Sequence, residues 1–373
     1  MPARRRVVEI ETLEQFDNAV AEGARSMRGW RLQSVDLSSR SHVLRGLRAA
    51  GSVFLGCQVE LATVDDLRAR GALLFPRMPD VPFDPYRADL YSPRQLYDAI
   101  AYAPYDACLD ARVYAWTRDG EAQHDLAAAL ARALHDNSIA EAFDDTLTVG
   151  ELDGASLVGI MGGHATARGD ASYAQAVLLG RALTRAGHTV VTGGGPGAME
   201  AANLGAYLAD ATEGELAAAL AHLGQVPTFQ DRTTWARTAS EVVQEHPQGR
   251  ASIGIPTWFY GHEPPNLFAT VIAKYFHNAL REAVLVERCE AGIVYLPGAA
   301  GTAQEIFTDA CENYYAPAEK VAPMVLLGVD HWRRHLPAWQ LVQALARDRP
   351  MAERIWCVDT VAEVVAALEP AQP

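Results

Sequence analysis

The sequence predicts an α/β protein whose C-terminal two-thirds forms a doubly wound parallel sheet with helices on both faces, preceded by an N-terminal α/β region. Two observations lead to this class. Short apolar strands alternate with helical stretches from residue 156 to the end of the chain. In addition, two of these strands, 156–161 and 188–192, end in glycine-rich turns. This alternation is typical of a Rossmann-like sheet.

The N-terminal 76 residues read as alternating strands and helices. Thr12 to Gln15 and Ser92-Pro93 are typical helix starts, and Thr63 to Asp66 predicts another. The remaining predicted elements are strands at 30–37 and 52–60 and an Ala/Leu-rich helix at 121–135. We expect residues 77–120 to be largely irregular. No pattern in this region indicates catalysis.

The C-terminal part contains the βαβ pattern. The predicted strands are 156–161, 188–192, 252–260, 292–296, 324–329 and 355–358. The predicted helices are 172–186, 198–208, 213–223, 234–245, a long one from Asn266 to about Glu287, one from Gly301 and one at the end of the chain.

The acidic stretch 144–153 marks the expected domain boundary, because a new strand begins directly after it. We therefore expect an N-terminal region at 1–150 and a nucleotide-binding domain at 151–373. The helices expected at 213–223 and 234–245 exceed a minimal βαβ unit. They predict a helical insertion at about 207–250.

Composition excludes several classes of protein. The chain has 373 residues, of which 49% are hydrophobic, and a net charge of −14, which disfavours nucleic-acid binding through a general basic surface. We predict a cytoplasmic protein without a membrane segment, since no apolar run approaches about 20 residues and Met1–Arg6 lacks the apolar segment of a secretory signal. The 5 cysteines form no CxxC pair, so we expect neither disulfides nor a metal site.

Two glycine-rich loops are the candidate ligand sites. The first comprises Gly193, Gly194, Gly195 and Gly197, and the second runs from Pro297 to Thr302. Glycine lets a backbone approach an anion closely, and helix N-termini attract negative charge. Gly193-x-Gly195-x-x-Ala198 also matches a dinucleotide fingerprint, but it follows the second strand of the domain and no acidic strand end lies about 20 residues on. Tight turns without a ligand are the remaining alternative.

Three further residues have open interpretations. Thr302 to Glu305 has the spacing of a capping box, and a glutamate at the same place would lie beside anything bound at Gly298 and Gly301. His164 follows a strand end and either contacts a ligand or closes a turn. Arg281 lies in the predicted long helix. The simplest interpretation is that its side chain is exposed to solvent on the helix surface.

Taken together, these motifs resemble the LONELY GUY family of nucleotide phosphoribohydrolases, and within it the bacterial nucleotide 5′-monophosphate nucleosidases. The family pattern PGGxGTxxE is similar to the segment Pro297–Glu305. Segments similar to those of the nucleosidases precede it in the same order: Gly162–His164, Gly193–Glu200 and Glu263–Asn266. The resemblance covers about residues 155–368.

The resemblance implies hydrolysis of the N-glycosidic bond of nucleoside 5′-monophosphates, AMP-like or cytokinin riboside monophosphates, to free base and ribose 5-phosphate. It implies that Arg281 and Glu305 are catalytic, and that the two loops, with Gly298, Gly301 and Thr302, bind phosphate. His164, Met199 and Asn266 become candidate contacts to base or ribose. It also implies a homo-oligomer and no cofactor.

The chain departs from the family pattern at two positions. Ala299 replaces the second glycine of PGG, and Glu282 stands where plant-type members have lysine. A decarboxylase, a label once given to this family, would need a Schiff-base lysine, and only Lys274 and Lys320 exist. A nucleotide-binding sensor without turnover is the alternative to an enzyme.

Overall fold

The structure is a computed structural model that describes residues 8–78, 80–260 and 263–369. The segment Met1–Arg6, on which the expectation of no secretory signal rests, lies outside these residues. The chain divides into two compact units. The first comprises 1–89 and 119–142, and the second comprises 90–118 and 143–373. Among the described residues, no helix has the length and apolar character needed to cross a membrane.

The first unit is built around a parallel sheet of 4 strands in the order β1-β2-β3-β4. The strands are Val8–Ile10, Trp30–Gln33, Val53–Leu55 and Leu73–Phe75. Its helices are α1 Leu13–Ala21, α2 Ser41–Gly46 and α3 Leu61–Ala69. After the second unit's α4 Pro93–Leu96 and α5 Leu109–Arg118, the chain continues as α6 Gly120–His124 and α7 Leu126–Thr148.

These strands follow one another as in a short solenoid. Val8 pairs with Trp30, Arg31 with Val53, and Val53 with Leu73, so equivalent positions recur about every 20 to 22 residues. Gly29, Gly51 and Gly71 precede successive strands, and all three adopt positive φ, which glycine tolerates best. Ile10, Leu32 and Phe54 form consecutive layers of a buried core.

The second unit contains a parallel sheet of 7 strands in the order β11-β10-β9-β5-β6-β7-β8. The strands, in chain order, are Leu157–Met161, Thr189–Thr192, Ile253–Gly254, Val271–Ile272, Ile293–Tyr295, Met324–Leu327 and Ile355–Val358. The chain builds the sheet outward from β5 to β8 and then returns to the other side of β5 with β9. Adjacent β5 and β9 therefore form the topological switch point, where such sheets bind ligands. The doubly wound α/β fold is confirmed.

The helices of this unit are α8 Ala171–Arg185, α9 Ala198–Tyr207, α10 Glu213–Leu223, α11 Arg232–Glu245, α12 Asn278–Glu287, α13 Ala300–Tyr315, α14 Ala338–Ala346 and α15 Val361–Leu368. Four of them, α8 to α11, agree closely with expectation, whereas α14 was not expected. Both α10 and α11 lie inside the segment expected to be an insertion.

The prediction of one long helix from Asn266 to about Glu287 is wrong. Val271–Ile272 instead forms the edge strand β8, with Ile253 of β7 paired to Val271 and Tyr91 bridged to Ile272. Helix α12 begins only at Asn278. Two β-branched residues that can pair with an open sheet edge outweigh the local helical spacing, because strand pairing depends on distant neighbours.

The sequence predicts residues 77–120 to be irregular apart from a helix at Ser92-Pro93. That helix is present as Pro93–Leu96, but residues 90–118 also contain the unexpected helix Leu109–Arg118 and belong to the second unit. Asp110 holds this segment in place from within the core. Its carboxylate pairs with the ammonium of Lys274 and accepts hydrogen bonds from Trp258 Nε1 (2.9 Å) and the Tyr105 hydroxyl (2.6 Å). Burial lowers the pKa of Lys274, and the charge of Asp110 opposes that change.

Removal of this carboxylate tests its role. We expect Asp110→Ala to reduce the free energy of unfolding by about 3–5 kcal/mol, because it leaves the buried ammonium uncompensated. Lys274→Met added to Asp110→Ala should recover much of the loss, since no charge then remains buried. Urea unfolding of the single and double variants measures both changes. Simple addition of the two losses would contradict the interpretation of Lys274–Asp110 as a coupled pair.

Candidate active site

The two glycine loops and the turn after β5 lie together at the switch point. The backbone of Ala198 donates a hydrogen bond to the carbonyl oxygen of Gly163 (3.1 Å), which joins the turn to the first loop. A β-carbon at Gly163 would lie 3.7 Å from the carbonyl oxygen of Pro297, so the second loop borders the same turn. These three segments therefore surround one crevice.

The first loop requires glycine at two places. Gly194 and Gly197 have φ values of 71° and 74°, a backbone conformation that residues with a β-carbon rarely adopt. A β-carbon on Gly197 would also lie 2.5 Å from the carbonyl oxygen of His164. Thr192, at the end of β6, accepts a hydrogen bond from the Gly194 N–H (2.9 Å). The loop is thus held by its glycine conformations and by the side-chain hydroxyl of Thr192.

Asn266 holds this loop through hydrogen bonds to its carbonyl oxygens. Its backbone N–H donates to Gly194 O (2.8 Å), and its side-chain amide donates to Gly195 O (3.2 Å) and Asn203 Oδ1 (3.0 Å). Its own Oδ1 accepts from the backbone of Phe268 and Ala269. Asn266 is completely buried, and its amide is saturated. The geometry therefore assigns it to support of the loop, whereas the sequence suggested contact with the ligand.

Met199 covers the inner surface of the loop. A β-carbon at Gly193 would meet Met199 Sδ at 2.8 Å and one at Gly195 would meet Met199 Cε at 2.9 Å. A β-carbon at Gly193 would also lie 3.1 Å from Nη2 of the Arg281 guanidinium. Arg281, a surface residue on its simplest interpretation, instead lies buried against the loop.

The second loop leads into α13. This helix begins at Ala300, and its N-cap, Ala299, provides no side-chain hydrogen bond. The capping-box interpretation of Thr302–Glu305, one of the two that the sequence left open, is therefore wrong, because Thr302 already lies in the first turn of α13. The Thr302 hydroxyl instead occupies the space beside Gly298, where a β-carbon would lie 2.2 Å from it. The first N–H groups of α13, around Gly301, have no partner within the helix and can bind an anion.

Arg281 and Glu305 face each other across this crevice. Nη1 of Arg281 lies 3.6 Å from Oε1 of Glu305, and the side chains are only 10% and 15% exposed. Burial raises the pKa of the Glu305 carboxyl to about 7; the Arg281 guanidinium opposes this shift, and Glu282 adds to it. Glu305 is consequently a carboxyl that exchanges a proton near neutral pH, a property suited to general acid–base chemistry.

Glu282, at the position where plant-type members of the similar family have lysine, is held beside this pair. Its carboxylate accepts hydrogen bonds from the Asn278 amide (2.7 Å) and from the side-chain amide of Gln304. Gln304 precedes Glu305 on α13, so Glu282 links α12 to α13. Its carboxylate makes this connection and also adds negative charge to the site.

His164 lies at the rim of the crevice. Its side chain is half exposed, and Nδ1 is 3.5 Å from Oε1 of Glu263. A β-carbon on Gly195 would lie 3.6 Å from the other carboxylate oxygen of Glu263. His164 and Glu263 therefore join the turn after β5 to the first loop on the solvent side.

The second glycine loop is held by a residue that the sequence did not indicate, His331. Its Nε2 lies 3.1 Å from the carbonyl oxygen of Gly298 and must donate, because a carbonyl only accepts. In a trans peptide the following N–H points the opposite way, so His331 orients the Ala299 N–H away from itself. His331 follows β10, which joins β5, β6 and β9 as the fourth strand that ends beside the site. That position was its only sequence signal.

A buried pair connects the first loop to the inserted helices. Arg168 Nε donates to Glu200 (3.0 Å), and the guanidinium lies 4.7 Å from the centre of the Trp235 ring, on α11. Glu200 is in the first turn of α9, directly after Gly197. The helical insertion is thus attached to the base of the candidate site. Within 8–78, 80–260 and 263–369, no group of three or more His, Cys, Asp or Glu side chains is arranged to hold a metal ion.

Comparisons with known families agree with this location. Residues 237–368 match a family described as "Possible lysine decarboxylase", a LONELY GUY-like family, and residues 155–220 match the "SLOG cluster4 family". The first match contains Arg281, Glu305 and the second loop. The second match contains the first loop. No curated protein matches the chain.

Solved structures of similar fold include two molybdenum cofactor proteins. The binding protein from Rippkaea orientalis has 16% identity over 58% of this chain and 96% of its own, with a TM-score of 0.37. The carrier protein from Chlamydomonas reinhardtii has 17% identity over 58% and 96%, with a TM-score of 0.36. These likenesses concern the fold alone.

His331 provides a direct test of the anion-binding loop. Loss of one hydrogen bond to the loop backbone should weaken the binding of inorganic phosphate about fivefold in His331→Ala. His331→Gln retains a donor and should recover part of that affinity. Isothermal calorimetry with phosphate, with melting temperatures as the folding control, makes the comparison. Equal affinities in the Ala and Gln variants and the native protein would exclude a positioning role.

Proposed function

We propose that the protein hydrolyses the N-glycosidic bond of nucleoside 5′-monophosphates to free base and ribose 5-phosphate. The observation that carries this proposal is the buried Arg281–Glu305 pair, placed between two glycine loops suited to an anion. A carboxyl with a pKa of about 7 next to a phosphate site suits a reaction that creates positive charge on a sugar.

The loops supply positioning. The N-terminus of α13, with Gly298, Gly301 and Thr302, offers free N–H groups to the phosphate, and Gly193–Gly197 closes the other side of the crevice. A phosphate fixed at these loops would hold the ribose so that its C1′ lies near Glu305. Such positioning reduces the entropy lost on reaching the transition state.

The carboxylate carries out the chemistry in this proposal. A water molecule adds its oxygen to C1′ while the C1′–N bond breaks, and the bonding electrons leave with the base. Glu305 accepts the proton of the water and stabilises the oxocarbenium-like charge. This proton then passes from Glu305 to the departing base, which therefore leaves as a neutral molecule and returns Glu305 to its carboxylate form. Arg281 keeps part of the Glu305 population ionised and faces the ligand through its remaining donors.

The substrate class includes AMP-like nucleotides and, by the family resemblance, cytokinin riboside monophosphates. We also infer from that resemblance a homo-oligomer. Decarboxylation through a lysine Schiff base does not fit the residues present: Lys274 is buried against Asp110, and Lys320 lies exposed on a short turn outside the site.

An assay of base release tests the proposal. Purified protein should release base from at least one of AMP, GMP, CMP, UMP and N6-isopentenyl-AMP. Glu305→Gln should lower kcat by about 10² or more, because the proton acceptor is lost. The variant should nevertheless fold stably at pH 8, since it removes a carboxylate that burial disfavours. Nucleotide binding by calorimetry without any base release would favour a sensor instead.

The pH dependence follows from the pKa of Glu305. The carboxylate form is the base, so kcat/KM should rise through a midpoint near pH 7 and reach a plateau above it. Glu282→Gln should move the midpoint to lower pH, because the charge of Glu282 raises the pKa of Glu305. A profile that falls over this range, or a Glu282→Gln midpoint moved upward, would contradict the assignment.

A further inference from the structure

Two adjacent aromatic side chains are exposed beside the candidate site. Phe259 and Tyr260 are 66% and 38% exposed, and their rings form an edge-to-face pair with centres 5.0 Å apart. Trp258, directly before them, is buried and stacks on Phe276 at 4.6 Å. The chain is therefore anchored at Trp258 and turns the next two rings outward.

Tyr260 and Glu263 each contact one wall of the crevice. The N–H of Glu263 donates a hydrogen bond to the Tyr260 carbonyl oxygen (2.8 Å), which joins the two residues. At one end, the Tyr260 hydroxyl lies 3.4 Å from Nδ2 of Asn278, one helical turn before Arg281. At the other, Glu263 contacts His164 and borders Gly195. The aromatic pair thus lies at the rim of the crevice.

Two buried polar atoms on α12 lack a hydrogen-bond partner among residues 8–78, 80–260 and 263–369. They are Oδ1 of Asn278 and Nε of Arg281. The orientation of the Asn278 amide is fixed, because its Nδ2 donates to the carboxylate of Glu282 (2.7 Å), which can only accept. Asn278 and Arg281 are three positions apart on α12 and share a face. Helix α12 therefore carries one unsatisfied acceptor and one unsatisfied donor about one helical turn apart.

We infer that Phe259 and Tyr260, together with Asn278 Oδ1 and Arg281 Nε, form the subsite for the nucleobase. This inference rests on the proposed function in that the ligand is a nucleotide. A nucleobase presents a flat π face for stacking and an edge with neighbouring donors and acceptors. The glycine loops recognise only the phosphate. The subsite therefore supplies the preference for a nucleotide over a sugar phosphate without a base.

The experiment compares two 5-phosphorylated ribose ligands, of which only one carries a nucleobase. AMP carries the base, whereas ribose 5-phosphate lacks it. Calorimetry on a Glu305→Gln background prevents turnover during the titration. Phe259→Ala should weaken the binding of AMP at least tenfold, as loss of a base-stacking ring does, and leave the affinity for ribose 5-phosphate within about twofold. Asn278→Leu should also weaken AMP selectively.

A matched control exists elsewhere on the chain. Tyr314 and Tyr315 form a similar edge-to-face pair, with centres 5.0 Å apart, at the far end of α13, and Tyr315 is 79% exposed. Tyr315→Ala should change neither affinity. Phe259→Leu, which keeps apolar volume but removes the ring, provides a second variant if Phe259→Ala fails to fold. Phe259→Leu should weaken the binding of AMP in part and leave the affinity for ribose 5-phosphate unchanged.

The outcomes separate this inference from the proposed hydrolysis. Unchanged AMP affinity in the Phe259 variants, or equal losses for both ligands, would overturn the subsite, even if the protein hydrolyses AMP. A change in mass by light scattering with unchanged AMP affinity would assign the aromatic pair to an interface between copies and would also overturn it. Selective loss of AMP affinity supports the subsite, even where the native protein releases no base.

Discussion

The burial of the Glu305 carboxyl beside Arg281 is the constraint on which the rest of the site depends. A carboxylate with little access to water is unstable unless a cation or several donors compensate it. Here Arg281 compensates it only in part, at 3.6 Å, and the pKa stays near 7. Hydrogen bonds hold the two loops around this pair: Asn266 donates to the first loop at Gly195, and His331 donates to the second loop at Gly298.

Topology explains why these groups meet. The strands β5, β6, β9 and β10 end at the same edge of one parallel sheet, and each is followed by a turn that contributes to the crevice. The chain changes direction between β5 and β9, so helices leave this point toward opposite faces and open a gap between them. Arg281 reaches the gap from α12 and Glu305 from α13. Residues distant in sequence thus become one site without long loops.

Local patterns predicted much of this arrangement. The apolar strands, the glycine turns and the bounds of α10 follow from periodicity and turn chemistry, which depend on neighbouring residues. What the sequence could not predict depends on distant partners. Val271–Ile272 became a strand because β7 offered an open edge, and residues 90–118 joined the second unit through Asp110 and Lys274. Likewise, the support by Asn266 and the contact of His331 with Gly298 arise only after folding. The solenoid spacing of the first unit is marked only by Gly29, Gly51 and Gly71, a repeat of about 20 residues that lies beyond the range of the short helix and strand patterns.

A double-mutant cycle between Arg281 and Glu305 tests the central claim most directly, with kcat/KM for base release as the measured quantity. If the two side chains act as one centre, Arg281→Gln combined with Glu305→Gln should be no slower than the slower single variant, because each single change already disables the pair. If the two losses multiply, or if neither change affects base release, the two residues do not form a catalytic pair and the account fails.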